Sequence, residues 1–371
     1  MVCWSWTLSV CEYRPIAWAQ RSTLNFILGL ATGLVFAVLF AGYANIKTTV
    51  RYQAREETKP KTTLKRPDEI LKEIFTHDSH DVFNKESLRE GDVRGISFED
   101  THVHQDDDNV ARKLQNKVEI LIWVMTSPEN LDKKAVHVKR TWGKRVDKLL
   151  FFSSVNNSSF PVVGLNVSEG REHLTGKTVR AFNYIYDHHF NDADWFMKAD
   201  DDTYVILENL RYFLAGHNTN KPIYFGHHFK TIVKQGYFSG GAGYVLSKEA
   251  LRRFATVARN GSVFCRQDGG AEDAEIGHCM ERLGVKTGNS TDRLGRSRFH
   301  CFNPETHLHG GYPDWYYQYD ANGARMGVDS ISDYAITFHY VSPKEMYDLE
   351  FFVYHLRPYG IQSGNQELNQ N

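Results

Sequence analysis

Apolar residues are distributed unevenly along the 371-residue chain. An uncharged, largely apolar run covers residues 22–46, and a polar, charged stretch follows at 47–113. Because about 20 apolar residues suffice to cross a bilayer, the first run predicts a membrane-spanning signal-anchor rather than a shorter, cleaved signal peptide. The polar stretch has too few apolar residues to form a core, so we expect a stem with one short helix at 67–75.

From about residue 118 onward, apolar positions recur with the spacing of alternating strands and helices. Continuous apolar runs at 118–125 and 148–154 are typical of strands covered on both faces. Helical spacing at 131–142 and 174–189 separates these runs from a further strand at 195–199. This alternation predicts a parallel, Rossmann-like α/β sheet. Ligands of such sheets bind outside the carboxyl ends of the strands.

Three adjacent carboxylates, Asp200, Asp201 and Asp202, directly follow the strand at 195–199. Their mutual repulsion becomes attraction when a divalent cation binds, and hard cations take oxygen ligands readily. Alternate residues leaving a strand point the same way, so we expect Asp200 and Asp202 to face a metal and Asp201 to face elsewhere, for instance a ribose hydroxyl. The alternative is an acidic turn that caps the next helix. A second aspartate triplet at 106–108 follows no strand and indicates only a solvated acidic patch.

Charge and glycosylation signals narrow the class of protein. The net charge of −1 supplies no basic excess to neutralise phosphates, so no nucleic-acid partner is expected. Arginines and lysines flank the apolar run on both sides and do not orient it. N-glycosylation sequons, all after that run, begin at Asn156, Asn157, Asn166, Asn260 and Asn289. They predict a luminal domain, and a metal site there favours a nucleotide-sugar transferase over a phosphodiesterase or nuclease.

The five cysteines divide between the two sides of the predicted anchor. Cys3 and Cys11 precede it, whereas Cys265, Cys279 and Cys301 lie in the predicted luminal part. Three luminal cysteines permit one disulfide and leave one thiol over. Spacing alone does not select the pair, and we favour Cys265 with Cys279.

Several long segments resemble the core 1 β1,3-galactosyltransferases, the glycoprotein-N-acetylgalactosamine 3-β-galactosyltransferases related to the Fringe enzymes. They include "ILIWVMTSPENLDKKAVHVKRTWGKR", "WFMKADDDTYVILENL", "VKQGYFSGGAGYVLSKEALRRF" and "FHYVSPKEMYDLEFFVYHLRPYG", and the likeness extends over residues 118–360. The resemblance implies a Golgi type II membrane protein with a catalytic domain of the GT-A fold, whose Rossmann-like sheet is mixed, and it allows a homodimer. The implied segments are a cytosolic tail at 1–21, the anchor at 22–46, the stem at 47–113, the catalytic domain at 114–362 and a C-terminal tail at 363–371.

The resemblance also implies a manganese site and a donor site. Asp200, Asp202 and His339 would hold Mn²⁺, and an imidazole ligand favours manganese over magnesium. The alternative for His339 is a buried core histidine. UDP-galactose would contact Met125, Thr126, Arg140, Lys177, Asp201, Gly240 and Gly241, with Gly243 in the same glycine-rich turn. For Arg140 and Lys177, which lie on predicted helices, the alternative is a solvated helix face.

For catalysis, the resemblance implies a base in "GGAEDAEIGHCM". We expect Asp273 to remove the acceptor proton, and Glu272 is our second choice for the base. The alternative is that this acidic pair only interacts favourably with the dipole of the helix it begins. The implied acceptor is N-acetylgalactosamine O-linked to Ser or Thr of a glycoprotein. Trp315, Tyr316 and Tyr317 are candidates to stack on it, and they equally suit a core.

The sequence departs from this family at three places. No cysteine pair precedes "FHYV", Ile122 stands where vertebrate relatives show a cysteine, and the aromatic block at 313–320 is shorter and altered. Two disulfides are therefore missing, and the acceptor side has diverged. Two alternatives follow: a Fringe-like β1,3-glycosyltransferase with another donor or acceptor, or a non-catalytic chaperone-like relative. The aspartates and His339 argue against the latter.

Overall fold

The computed structural model describes residues 106–258 and 265–361. Between residues 120 and 200, strands and helices follow the predicted order, with one additional short strand at Val162–Gly164. The strands are β1 (Ile120–Met125), β2 (Lys148–Ser153), β3 (Val162–Gly164), β4 (Trp195–Asp200), β5 (Tyr204–Val205), β6 (Ile223–Gly226), β7 (His228–Phe229), β8 (Tyr237–Phe238), β9 (Tyr244–Ser247), β10 (Lys286–Thr287), β11 (Phe299–His300) and β12 (Thr337–Phe338). The α-helices are α1 (Asn109–Lys117), α2 (Val136–Arg140), α3 (Leu174–His189), α4 (Leu207–Leu214), α5 (Lys248–Ala258), α6 (Glu272–Arg282), α7 (Pro304–His309), α8 (Asp314–Tyr319) and α9 (Pro343–Tyr354).

The main sheet has seven strands in the order β10-β6-β9-β4-β1-β2-β3. β1 pairs in parallel with both β2 and β4, so the carboxyl ends of these strands lie at one edge. The sheet is mixed rather than wholly parallel, because β9 runs antiparallel to its neighbours β4 and β6. In the β1–β4 register Met125 lies opposite Asp200, which places the residues that follow both strands next to each other.

Strand β1 is buried on both faces, as a continuous apolar run requires. Ile120, Ile122 and Val124 pack into one core cluster, and Leu121, Trp123 and Met125 pack into the other. This division follows from the alternation of side chains along a strand. The helices cover the sheet on its two sides, so the strand ends are the part of the sheet left for a ligand.

The predicted helix at 131–142 is not continuous. The structure has a π-helical turn, Leu131–Ala135, then the short helix α2 and a 3-10 turn, Trp142–Arg145. Thr141 leaves the helical region, with φ −102° and ψ −112°. The buried Trp142 then donates its indole N–H to the carbonyl of Thr203 at 3.0 Å, which fastens this segment against the turn that carries the aspartates.

A second, three-stranded sheet of β11, β12 and β5 brings the C-terminal region to the aspartates. β12 pairs antiparallel with β5, with Phe338 opposite Tyr204. The backbone N–H of Val341 donates to the carbonyl of Asp202 at 3.0 Å. His339 is therefore held beside the acidic turn by backbone hydrogen bonds on both sides.

The disulfide and the glycosylation sites predicted from the sequence fall partly within the described residues. A disulfide joins Cys265 and Cys279, as favoured from the sequence, and Cys301 is a buried thiol. The sequon residues within the described ranges have exposed side chains: Asn156, Asn157, Asn166 and Asn289. Among the described helices, none is long and apolar enough to span a bilayer. Several predictions fall outside the described residues: the two tails, the anchor, the stem before residue 106, the helix at 67–75 and Asn260.

Candidate active site

The acidic turn begins where β4 ends. The backbone N–H of Asp200 donates to the hydroxyl of Thr203 at 3.1 Å, and the backbone N–H of Thr203 returns to the carbonyl of Asp200 at 3.1 Å. This tight turn directs Asp200 and Asp202 toward His339, whose Nε2 lies 3.1 Å from Asp202 Oδ1. One ligand atom from each of these residues lies within 4.8 Å of the others. The predicted Asp-x-Asp and histidine set therefore converges in space.

The chemistry of this set fits a divalent cation. Two carboxylates supply hard oxygen ligands and one imidazole supplies a nitrogen, a combination that suits manganese better than magnesium. The other ring nitrogen of His339, Nδ1, lies 3.3 Å from the carbonyl of Cys301, and a partner of this kind fixes the orientation of a ligating imidazole. Tyr340, the next residue, has φ +54°, a conformation that costs about 1–3 kcal/mol and clusters at functional sites.

Gly241 provides the room for His339. A Cβ atom on Gly241 would overlap the imidazole ring of His339. The carbonyl of Gly241 accepts a hydrogen bond from the hydroxyl of Thr203 at 2.7 Å, so the acidic turn holds this backbone in place. A glycine is needed here because the backbone passes directly against the ring.

Replacing Gly241 by alanine should displace the His339 ring. We expect Mn²⁺ affinity to fall by at least about tenfold, since even outer partners of metal ligands are worth 10- to 100-fold. Isothermal titration with Mn²⁺ measures this, with thermal unfolding as the check on folding. An unchanged Mn²⁺ affinity in a folded variant would show that His339 does not need this space.

Two lysines that the sequence interpretation missed neutralise the acidic turn. Lys134, in the π-helical turn, places its Nζ 3.1 Å from Asp202 Oδ2 and 3.8 Å from Asp201 Oδ1. Lys198 is buried in β4, with its Nζ 2.7 Å from Asp200 Oδ1. Burial opposes the charge of Lys198, but the Asp200 and Glu272 carboxylates outweigh burial and raise the pKa of this lysine.

Asp201 lies in the turn beyond β4 and points toward β1 rather than toward His339. Its Oδ2 accepts a hydrogen bond from the hydroxyl of Thr126 at 2.8 Å, and the backbone N–H of Thr126 donates to the carbonyl of Phe152 at 2.9 Å. Burial and the neighbouring Asp202 raise the pKa of the Asp201 carboxyl. Asp201, Thr126 and Met125 thus lie together at the carboxyl edge of β1 and β4.

The acidic pair at the start of α6 lies on the other side of the glycine-rich turn. Glu272 is buried, and its Oε1 accepts from the hydroxyls of Thr178 at 2.8 Å and Tyr244 at 2.7 Å. Its Oε2 lies 3.8 Å from Lys198 Nζ. The Glu272 carboxylate is therefore occupied by contacts within the protein, and Asp273 is the more available carboxylate of the pair.

Asp273 is half-buried and more lightly held. Its Oδ2 accepts from the backbone N–H of Gly240 at 3.3 Å, and its Oδ1 accepts from that of Ala274 at 2.8 Å. Burial, and then the neighbouring Glu272, raise the pKa of Asp273 to about 6. A carboxylate with a raised pKa is a better proton acceptor than one at the usual value, and it is still ionised at neutral pH.

Gly240 lies between the acidic turn and the acidic pair of α6 and contacts both through Lys198 and Asp273. Its N–H donates to Asp273, and its carbonyl accepts from Lys198 Nζ at 3.1 Å. A Cβ atom on Gly240 would lie 2.6 Å from Glu272 Oε2. Lys198 therefore contacts Asp200, Gly240 and Glu272 at once and links the two halves of the site.

The two predicted cationic donor residues lie in different surroundings. Lys177 is buried, not on a solvated face, and it forms an ion pair with Glu169. Glu169 also accepts from the backbone N–H of Ser154, just beyond β2, so this pair lies at the carboxyl edge of the sheet. Arg140 is exposed on α2 and lies beside the Tyr347 hydroxyl. Its predicted donor contact stays a prediction.

The aromatic residues proposed for the acceptor divide into core and surface. Tyr316 is only 2% exposed and stacks on His227 at a centroid distance of 5.8 Å, so its ring belongs to the core. Tyr317 is 48% exposed, and Trp315 is half-buried against Phe229. Trp315 and Tyr317 thus remain the accessible members of the three.

The site lies at the edge of a mixed sheet in an α/β fold. It combines two carboxylates and an imidazole with a further carboxylate across a glycine-rich turn. This arrangement defines a candidate glycosyltransferase site. A family described as Fringe-like matches residues 115–300. The chain is 47% identical over 267 residues to the "Glycoprotein-N-acetylgalactosamine 3-beta-galactosyltransferase 1" of Xenopus laevis, covering 71% of this chain and 74% of that protein. The chain belongs to this Fringe-like family and is a glycosyltransferase.

More distant proteins are also similar to it. The chain is 30% identical over 185 residues to the "Chondroitin sulfate synthase 3" of Mus musculus, covering 44% of this chain and 21% of that protein. Among solved structures, a glycosyltransferase "involved in the glycosylation of the major capsid of PBCV-1" matches with a TM-score of 0.36 and 15% identity, covering 63% of this chain and 100% of that one.

Proposed function

We propose that the protein is an inverting, manganese-dependent transferase that moves galactose from UDP-galactose to the 3-hydroxyl of N-acetylgalactosamine O-linked to Ser or Thr of glycoproteins. The observation that carries this proposal is the convergence of Asp200, Asp202 and His339 within reach of one cation. It occurs in a chain that is 47% identical to a protein named for the same reaction.

In this proposal, Asp200, Asp202 and His339 hold the cation. A divalent cation bound there would neutralise negative charge on the diphosphate of the donor. Asp201, set by Thr126 at the edge of β1 and β4, faces the nucleoside side of the donor. Lys177 contributes positive charge at the end of β2.

Asp273 is the proposed general base. It removes the proton from the acceptor 3-hydroxyl as that oxygen bonds to the anomeric carbon of galactose, while the bond from this carbon to UDP breaks on the opposite face. The products are an inverted β1,3-linkage, free UDP and a protonated Asp273 that returns its proton to solvent. Glu272, held by Thr178 and Tyr244, positions the start of α6 rather than taking the proton.

The accessible rings of Trp315 and Tyr317 are proposed to contact the acceptor sugar or its peptide. For the whole chain we propose the GT-A fold, a single anchor at 22–46 with a short cytosolic tail, a stem to residue 113 and a luminal catalytic domain in the Golgi. Exposed sequon side chains in the described domain support a luminal location. A homodimer is compatible with this arrangement.

Incubating the purified full-length chain with Mn²⁺, a GalNAc-peptide and, separately, UDP-galactose, UDP-glucose and UDP-N-acetylglucosamine tests the proposal. We expect transfer from UDP-galactose alone, and loss of transfer when EDTA removes the metal. Transfer only from another donor would favour the Fringe-like alternative, and transfer from none would favour the non-catalytic, chaperone-like one.

A further inference from the structure

Lys134 occupies an unusual position for a lysine on a helix. It lies in the π-helical turn Leu131–Ala135, and single π turns inside helices are frequent at functional sites. Its Nζ lies 3.1 Å from Asp202 Oδ2, while the other oxygen of the same carboxylate lies 3.1 Å from His339 Nε2. Asp202 thus spans the lysine ammonium and the imidazole of the metal set.

Of the two lysines on the acidic turn, Lys134 is the one that reaches solvent. Its side chain is 25% exposed, compared with 3% for Lys198. Lys198 is enclosed by Asp200, Gly240 and Glu272, so its donors are used inside the protein. Lys134 is therefore accessible to a ligand from solvent, whereas Lys198 is enclosed.

An ammonium group has three N–H donors. Asp202 takes one of those of Lys134 at 3.1 Å, and Asp201 lies farther away at 3.8 Å. A lysine amine is protonated at neutral pH. With Asp202 as the acceptor of one N–H, the ammonium keeps donor capacity for a further oxygen.

We propose that Lys134 binds a diphosphate oxygen of the sugar-nucleotide donor. This inference rests on the proposed function, because a donor diphosphate completes the shell of a cation bound at Asp200, Asp202 and His339. The Lys134 ammonium lies 3.1 Å from one of those ligands, on the side of the site where a phosphate oxygen bound to the same cation would meet it. A lysine acts there as a compact point charge.

The same contact has a consequence for the reaction. Negative charge grows on the UDP leaving group as the glycosidic bond breaks, and a fixed cation beside it stabilises that charge. Lys134 forms no covalent bond and transfers no proton in this role. Its contribution should therefore appear in diphosphate binding, with no effect on recognition of uracil or ribose.

Binding of UDP and of uridine at saturating Mn²⁺ separates this role from a merely structural one. We expect Lys134→Met to weaken UDP binding by about 10- to 100-fold, the worth of one hydrogen bond to a charged group, with uridine binding unchanged. Lys134→Arg should retain most of the UDP affinity, because it keeps the cation. Lys133→Met, an exposed lysine of the same turn, is the matched control and should leave both affinities at the wild-type value.

Mn²⁺ affinity, measured separately, should not fall in Lys134→Met. The inference is overturned by equal losses of UDP and uridine, by loss of Mn²⁺ affinity, or by an unchanged UDP affinity in Lys134→Met. It is also overturned if the wild-type chain binds UDP no better than uridine. A chain that binds UDP but transfers no galactose would instead refute the proposed function alone.

Discussion

Replacing Asp202 by asparagine should abolish Mn²⁺-dependent UDP binding and lower the transfer rate by roughly 10³-fold. Metal stabilisation of developing charge is worth several kcal/mol, and about 1.4 kcal/mol corresponds to a factor of ten. Asp202 contacts both His339 and Lys134, so the loss of its charge removes a metal ligand and the partner of the lysine together. Isothermal titration with Mn²⁺ and UDP, followed by the transfer assay, measures both effects.

The chain contains its own matched control. Asp107 belongs to the second aspartate triplet, at the exposed start of α1, and Asp107→Asn removes the same charge from the same kind of sequence. We expect it to bind Mn²⁺ and UDP like the wild type. If Asp202→Asn kept Mn²⁺ affinity near the wild-type value, the assignment of the acidic turn as a metal site would be wrong.

The two aspartate triplets show what the sequence could predict. Both read Asp-Asp-Asp, but only residues 200–202 follow a buried strand. Within the part of the chain that the structure describes, Asp200 and Asp202 lie beside His339. The apolar run before the triplet predicted β4, and strand alternation predicted that Asp201 faces away from its neighbours. Strand position therefore distinguishes the candidate metal site from the surface triplet on the sequence alone.

Contacts between segments that are distant in the chain could not be predicted from the spacing of apolar and polar residues. Nothing in the spacing of 131–142 indicates a π-helical turn, so the approach of Lys134 to Asp202 could not be predicted. Lys198 lies inside an apolar strand, and a lysine there without an acidic partner would be too costly to bury. That mismatch was a usable signal. Lys177 was predicted to contact the donor, with a solvated helix face as the alternative. Its burial against Glu169, which lies in a loop before the helix, is a contact that helical spacing does not reveal.

The resemblance to known enzymes identified His339 as a candidate metal ligand and Glu272 and Asp273 as candidate bases. It gave only a weak preference for Asp273 over Glu272. The structure supplies a physical ground for the ranking, because Glu272 accepts two hydroxyl hydrogen bonds and lies 3.8 Å from Lys198, whereas Asp273 accepts only backbone N–H groups. A carboxylate fixed by three partners is poorly placed to take a proton from a substrate. This difference depends on β9 and α3 meeting α6, a tertiary arrangement that no local pattern encodes.

Asp273→Asn should retain Mn²⁺ and UDP binding but lower kcat by about 10²- to 10⁴-fold, the usual contribution of a general base. Asparagine keeps the side-chain shape and can still accept from the backbone N–H of Gly240, so folding should be preserved. Glu275→Gln, in the same first turn but paired with Arg266, is the matched control and should transfer at the wild-type rate.

The pH profile provides a second readout of the same residue. A base must be ionised, and burial together with Glu272 raises the pKa of Asp273 to about 6. In the wild type, kcat/KM should therefore be maximal above this pH and fall tenfold per unit as pH drops below it, well before an ordinary aspartate would protonate. The residual activity of Asp273→Asn should lack this acidic limb. If Asp273→Asn kept both the acidic limb of the pH profile and near-normal turnover, another group would be the base.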